Sequence, residues 1–263
     1  MLELEFAELT DVGKVREHNE DCFGHTAPPN GAARQQGWLF AVADGVGGQD
    51  RGEVASRLAI ETLQHGFHDF RANESPSACL QRLVQTANHK IYETATGHGG
   101  SNMCTTVVAC LLRYDRAVVA HVGDSRCYLI RRGQAEVITN DHSLVGEQVR
   151  MGILTPEEAA NSDRRHILSR SLGANLFVNV ELNERQLLPG DILLLSSDGL
   201  HGALTPREIA VTTAQSTDLS ESAARLVALA LERDGGDNTT VQLVRIKSVD
   251  RMGMYFGRPY KLR

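Results

Sequence analysis

Apolar positions along the chain follow two rhythms. Alternating or continuous apolar runs bounded by turn residues predict strands at Leu2–Leu9, Trp38–Ala43, Thr105–Leu112, Ala117–Val122, Cys127–Ile130, Ile192–Ser196 and Thr240–Ile246. Several are joined by turns as short as Arg113–Arg116. Such close connections favour antiparallel pairing, because a parallel pair needs a crossover of about a dozen residues. A helical rhythm follows Gly52, carried by Val54, Ala55, Leu58, Ala59, Leu63, Phe67 and Phe70. A second begins at Ser75-Pro76, with Leu80, Leu83, Val84, Ala87 and Ile91 on one face. A third, late helix holds Leu226, Val227, Ala230 and Leu231, with Asp218 and Glu221 spaced as a capping box and Gly235 as its stop. The segments Leu154-Thr155-Pro156 and Leu204-Thr205-Pro206 each place Glu three residues after the threonine, Glu158 and Glu208, and mark two further helix starts. Strands, two helices, more strands, then a closing helix and strand suit two antiparallel sheets packed together with helices outside. Pro28–Gly37 reads as a loop, and no composition shift marks a domain boundary.

The 263 residues are 41% apolar, enough for a sizeable core. No stretch approaches the roughly 20 consecutive apolar residues of a membrane helix, and the start MLELEFAELT is too acidic for a signal peptide, so a cytoplasmic location is expected. Five scattered cysteines, Cys22, Cys79, Cys104, Cys110 and Cys127, form no CxxC pair and read as reduced thiols. A formal charge of −6 gives no general attraction to nucleic acid, although Arg251, Arg258, Lys261 and Arg263 make the aromatic C-terminal tail basic.

Candidate chemistry lies where strands end. WLFAVADGVGG runs an apolar strand into Asp44-Gly45, a carboxylate beside backbone free of side-chain bulk. The same grammar recurs in DILLLSSDGL with Asp198-Gly199, in GGDNTTVQLV with Asp237-Asn238, and in AVVAHVGDSRCYLI with Asp124 in a turn. One aspartate in a turn is usually a turn former, but four at strand ends form a pattern. Converging carboxylates repel one another, and Mg²⁺ or Mn²⁺ are natural neutralisers. No EF-hand spacing, HExxH, GxxxxGK[ST] or dinucleotide fingerprint is present, which sets aside calcium loops, zinc and nucleotide binding. In TDVGKVREHNEDCFG, Arg16 precedes Asp21 in a polar segment between strands, and its planar fork suits phosphate oxygens.

Taken in order, VREHNED, ADGVGG, VGDSR, SSDGL and GGDNTT resemble the type-2C metal-dependent Ser/Thr protein phosphatases, specifically their compact bacterial members. The resemblance spans about Thr10 to Arg245. It implies an α+β fold, a four-layer α-β-β-α sandwich, with a single catalytic domain over residues 1–248, a flap at about 142–169 and a tail at 249–263. It further implies that Asp44 bridges two Mn²⁺ or Mg²⁺ ions and Gly45 offers one its carbonyl, that Asp198 and Asp237 are the other direct ligands, and that Asp21 holds metal-bound waters. Arg16 would grip the substrate phosphate. Asp124, with Asp198, would bind a third, weaker ion, with Asp163, then Ser162, the candidate flap ligand. A metal-bridging hydroxide would attack phosphoserine or phosphothreonine directly, in a monomer acting on a bacterial Ser/Thr kinase or the targets that kinase phosphorylates. Val46 stands where many eukaryotic relatives carry a histidine acid, so protonation of the leaving oxygen falls to a metal-bound water or another group. The runner-up reading is a pseudophosphatase that docks phosphoproteins without turnover.

Overall fold

The computed structural model describes residues 2–28, 36–46, 51–69, 74–97, 103–250, 252–255 and 258–261. Two five-stranded antiparallel sheets form its centre. The first has the order β1 (Glu3–Asp11), β10 (Thr239–Ser248), β9 (Ile192–Ser196), β6 (Arg126–Arg131) and β7 (Gln134–Val137). The second runs β2 (Asp21–Thr26), β3 (Trp38–Asp44), β4 (Val107–Arg113), β5 (Arg116–Val122) and β8 (Glu181–Gln186).

The continuous apolar runs have a simple cause: these strands are covered on both faces. Along β3, Phe40 and Val42 point between the sheets, where they meet Leu129, Leu193, Leu195 and Val244 of the opposite sheet. Leu39, Ala41 and Ala43 point the other way, toward α1 (Gly52–His68) and α2 (Pro76–Gly97). On the far side, Leu194, Val241 and Leu243 meet α5 (Asp198–His201), α6 (Pro206–Ala214) and α7 (Leu219–Arg233). Three apolar layers therefore separate four layers of secondary structure, the sandwich anticipated from the element order.

Thr155 and Thr205 do form capping boxes, starting α4 (Pro156–Ala160) and α6. The box expected at α7 does not close. Asp218 accepts from the N–H of Ser220, while Glu221 turns to Ser216 and Arg225. Gly235, at φ 65°, ends that helix as expected. Strands β2, β7 and β8 escape the hydrophobic pattern because they are short edge strands with few apolar positions, unlike the nine-residue edge strand β1. An edge strand such as ELNERQ meets the body on little of its surface and can be polar. The β6–β7 hairpin turns on Arg132 and Gly133, both at positive φ, the backbone a two-residue turn requires. Phe70, Gly47, Gly48 and most of Pro28–Gly37 lie outside the described residues. In the tail, β11 (Met252–Tyr255) pairs with β12 (Arg258–Lys261) as a separate two-stranded sheet.

Between β7 and β8 the chain leaves the sandwich at His142 and returns at Ser169. Its roots are tied by the Ser143–Leu168 bridge and by N–H bonds from Leu144 to the Ile167 carbonyl and from Ser169 to the His142 carbonyl. This excursion holds α3 (Leu144–Arg150) and α4.

Phe40 is fully buried between the sheets. Phe40→Ala should cost about 3–5 kcal/mol, read as a lower urea midpoint, whereas Thr205→Ala, which opens one capping box, should cost about 1 kcal/mol.

Candidate active site

Antiparallel pairing brings the acid-bearing ends of strands from both sheets to one end of the sandwich. β3 finishes at Asp44 directly opposite Asp21, the first residue of β2. β9 finishes at Ser196, and Asp198 opens α5 two residues later. Asp237 lies two residues before the start of β10, and Asp124 lies in the turn between β5 and β6. The backbone at Asp44 is held firmly. Its N–H donates to Thr106 Oγ1 at 3.0 Å, and its carbonyl accepts from Thr105 Oγ1 and the N–H of Thr106, both at 2.8 Å. At Gly45 a Cβ would lie 2.4 Å from the Gly52 carbonyl oxygen and 2.8 Å from that of Glu20, so glycine is dictated by close backbone approach.

Asp21 Oδ2 accepts from Ser197 Oγ at 2.7 Å and Thr240 Oγ1 at 2.6 Å, which joins the two sheets at this end. Its other oxygen is buried with no hydrogen-bond partner among the described residues. Asn238 uses its whole amide on the loop before β2: Oδ1 accepts from the N–H of Glu20, and Nδ2 donates to the carbonyls of Val12 and His18. That loop carries Arg16, whose guanidinium donates to Asp237 Oδ2 at 2.8 Å.

The electrostatics follow from burying like charges together. Burial pushes Asp21 up to about 7, against the hydrogen bonds from Thr240 and Ser197. Burial, reinforced by Asp21, Asp198, Asp124 and Asp237, lifts Asp44 well above the carboxylate range. Asp124 rises for the same reason, with Asp198 and Asp141 as neighbours. Asp237 rises more modestly, burial being opposed by Arg16. Asp198 is the exception: burial would raise it, but the nearby imidazoles of His166 and His201 bring it below its usual value. Crowded oxygen donors, carboxyls raised by burial and by one another, and an Asp21 oxygen with no partner among the described residues are the donor set of a hard dication. The residues present therefore fit the Mn²⁺ or Mg²⁺ that the sequence motifs imply.

All the expected aspartates except Asp163 meet at this end. Asp163 lies on an exposed turn; the residue of that turn that reaches the carboxylates is His166, with Nδ1 3.8 Å from Asp198 Oδ2. Sequence reasoning also missed Glu20, whose carbonyl accepts from the N–H of Gly45 and whose carboxyl is raised by burial. It stands beside Asp21 in the same motif, and only that adjacency marked it. A second set of donor atoms, on His121, His142 and Glu181, lies within 4.8 Å of one another. His142 Nδ1 faces the N–H of Gly123, while its Nε2 lies 3.2 Å from both Glu181 and Arg170. The Arg170 guanidinium already supplies the positive charge there, so this cluster reads as a clasp between residue 142 and the turn carrying Asp124.

A family profile described as protein phosphatase 2C matches residues 16–236. Protein phosphatase PhpP of Streptococcus pneumoniae is 32% identical over 249 residues, 94% of this chain and 99% of that protein. The serine/threonine phosphatase PstP/Ppp of Mycobacterium tuberculosis superposes with a TM-score of 0.83 at 35% identity, covering 94% of this chain and 100% of that one. A structure of the PstP catalytic domain in complex with 2 manganese ions gives 0.81 at 35% identity, again covering 94% and 100%.

The raised Asp21 fixes the sign of one pH effect. The folded protein keeps a proton on this carboxyl up to about 7, whereas the unfolded chain releases it near 4. Between those values the metal-free protein loses stability from this group as pH rises. Chelated Asp21→Asn should therefore gain melting temperature relative to chelated wild type between pH 5 and pH 8; a difference independent of pH would contradict the assignment.

Proposed function

Because the chain belongs to the protein phosphatase 2C family and is a protein Ser/Thr phosphatase, we propose that Asp44, Asp198 and Asp237, with the Gly45 carbonyl, hold its divalent cations. In this reading Asp21 orders water around that pair, and Asp124 joins Asp198 in a third, weaker site. The observation that carries the assignment is the meeting of acidic strand ends from both sheets around an Asp21 oxygen that has no partner among the described residues. When bound, Mn²⁺ or Mg²⁺ supplies the positive charge that neutralises these carboxyls, draws in the phosphoryl oxygens and activates water.

The chain's own residues then have distinct tasks. Arg16 binds the equatorial phosphoryl oxygens, with a fork whose geometry matches two of them. The clamp on Asp44 and the glycine at position 45 keep the site rigid while charge redistributes, which is the preorganisation that stabilises a transition state. Asp21 ties the sheets together, fixing the distance between the two halves of the site. Water attacks phosphorus in line with the departing serine or threonine oxygen, and no covalent phosphoenzyme is needed. The substrates are phosphoproteins, and a Ser/Thr kinase or its targets acted on by a monomer extends the same reading. Among the described residues no helix is long and apolar enough to cross a membrane, and the five cysteines are unpaired, as a reducing compartment would keep them.

Chelated protein should hydrolyse neither p-nitrophenyl phosphate nor a phosphothreonine peptide, and Mn²⁺ or Mg²⁺ should restore both while raising the melting temperature. Asp44→Asn should lower kcat by at least about 100-fold at saturating metal; wild-type turnover in that variant would overturn the assignment, and metal-independent docking of phosphopeptide by an inactive, folded wild type would favour the pseudophosphatase. Arg16→Lys should lower kcat/KM on phosphopeptide by about 10-fold or more and leave the metal-induced rise in melting temperature intact.

A further inference from the structure

Beside the carboxylates a cavity of about 760 Å³ opens between α3, the turn at Arg165-His166 and α5, with Asp124 and Asp198 at its inner end. That volume falls within the range of about 300–1,000 Å³ typical of ligand sites. Val137, Val145 and Val149 give it an apolar wall. Its charged groups sort themselves. Arg126 is committed to Asp141 through two contacts, at 2.8 and 2.6 Å, and His201 is turned inward, its Nε2 3.1 Å from the Asp124 carbonyl. Asp124 and Asp198 belong to the proposed cation site. What faces an incoming chain is Arg150, Arg165 and His166. Arg165 is exposed and has no side-chain partner among the described residues, and Arg150 has only Glu147 at 3.8 Å.

We propose that this cavity binds the polypeptide flanking the phosphorylated residue and selects segments carrying negative charge, through Arg150 and Arg165. The proposal rests on the phosphatase reading and adds a substrate class to it. The apolar wall accommodates side-chain stems, while the arginines at the rim meet carboxylates or a second phosphate. Exposed ion pairs are individually weak, about 1.5- to 5-fold in affinity each, so two together set the scale of the preference at about 2- to 25-fold. Partial solvent exposure makes that preference fall with salt.

The test compares three phosphothreonine peptides of one length, flanked by glutamine, by glutamate or by a second phosphothreonine, as kcat/KM ratios on the Mn²⁺-loaded full chain. Fluorescence anisotropy of the labelled, unphosphorylated glutamine- and glutamate-flanked peptides reads flank binding independently of turnover. Wild type should favour the anionic peptides by about 2- to 25-fold, less so in 0.5 M NaCl, and should bind the glutamate-flanked product more tightly than the glutamine-flanked one. In the double variant Arg150→Glu/Arg165→Glu both ratios should fall to one or below. Equal ratios in wild type, or a preference that survives the double variant, would overturn the proposal. Loss of turnover on every peptide would count against the phosphatase reading instead, with product binding still deciding this one.

Discussion

Burial of several carboxyl groups at one end of a protein sandwich is the constraint around which this molecule is organised. Each taken from water raises the free energy of the others in their ionised form, and Asp21, Asp44, Asp124 and Asp237 all sit above their ordinary values as a result. Such an arrangement persists because the rest of the fold holds it. The inter-sheet layer of Phe40, Val42, Leu193 and Leu195 sets the spacing of the sheets, and the bonds of Asp21 to Ser197 and Thr240 pin their ends together.

Much of this was legible in advance, for identifiable reasons. Strands buried on both faces carry nearly unbroken apolar runs, so β3, β4, β5, β9 and β10 could be seen, and with them the aspartates that terminate or precede them. Asp124, Asp198 and Asp237 stood out because one pattern, an apolar strand meeting an aspartate, occurred repeatedly. Arg16 and Asp21 were different. Nothing in the periodicity of their polar segment marked them; Arg16 stood out by its guanidinium chemistry, and the role of Asp21 came through the likeness of VREHNED to a known motif. The edge strands β2, β7 and β8 carried too few apolar positions to register.

What remained hidden depended on contacts between residues far apart in sequence. No local pattern predicts that Asn238 spends its amide on the loop bearing Arg16, or that His166 reaches Asp198 while Asp163 faces solvent. Cap chemistry shows the same limit. The threonine boxes at α4 and α6 close, but at α7 Ser216 and Arg225 compete for Glu221, and the spacing alone could not reveal those rivals.

The ion pair between Arg16 and Asp237 has a thermodynamic consequence. In the proposed reading the same carboxylate is offered to a cation, and the same guanidinium to a phosphate, so neither ligand meets an uncommitted partner. A cation that claims Asp237 releases Arg16, and a phosphate that claims Arg16 releases Asp237. Each lowers the cost of binding the other, and linkage requires the two effects to be equal in free energy. In that reading the pair is a shared latch that makes metal occupancy and phosphate affinity rise together.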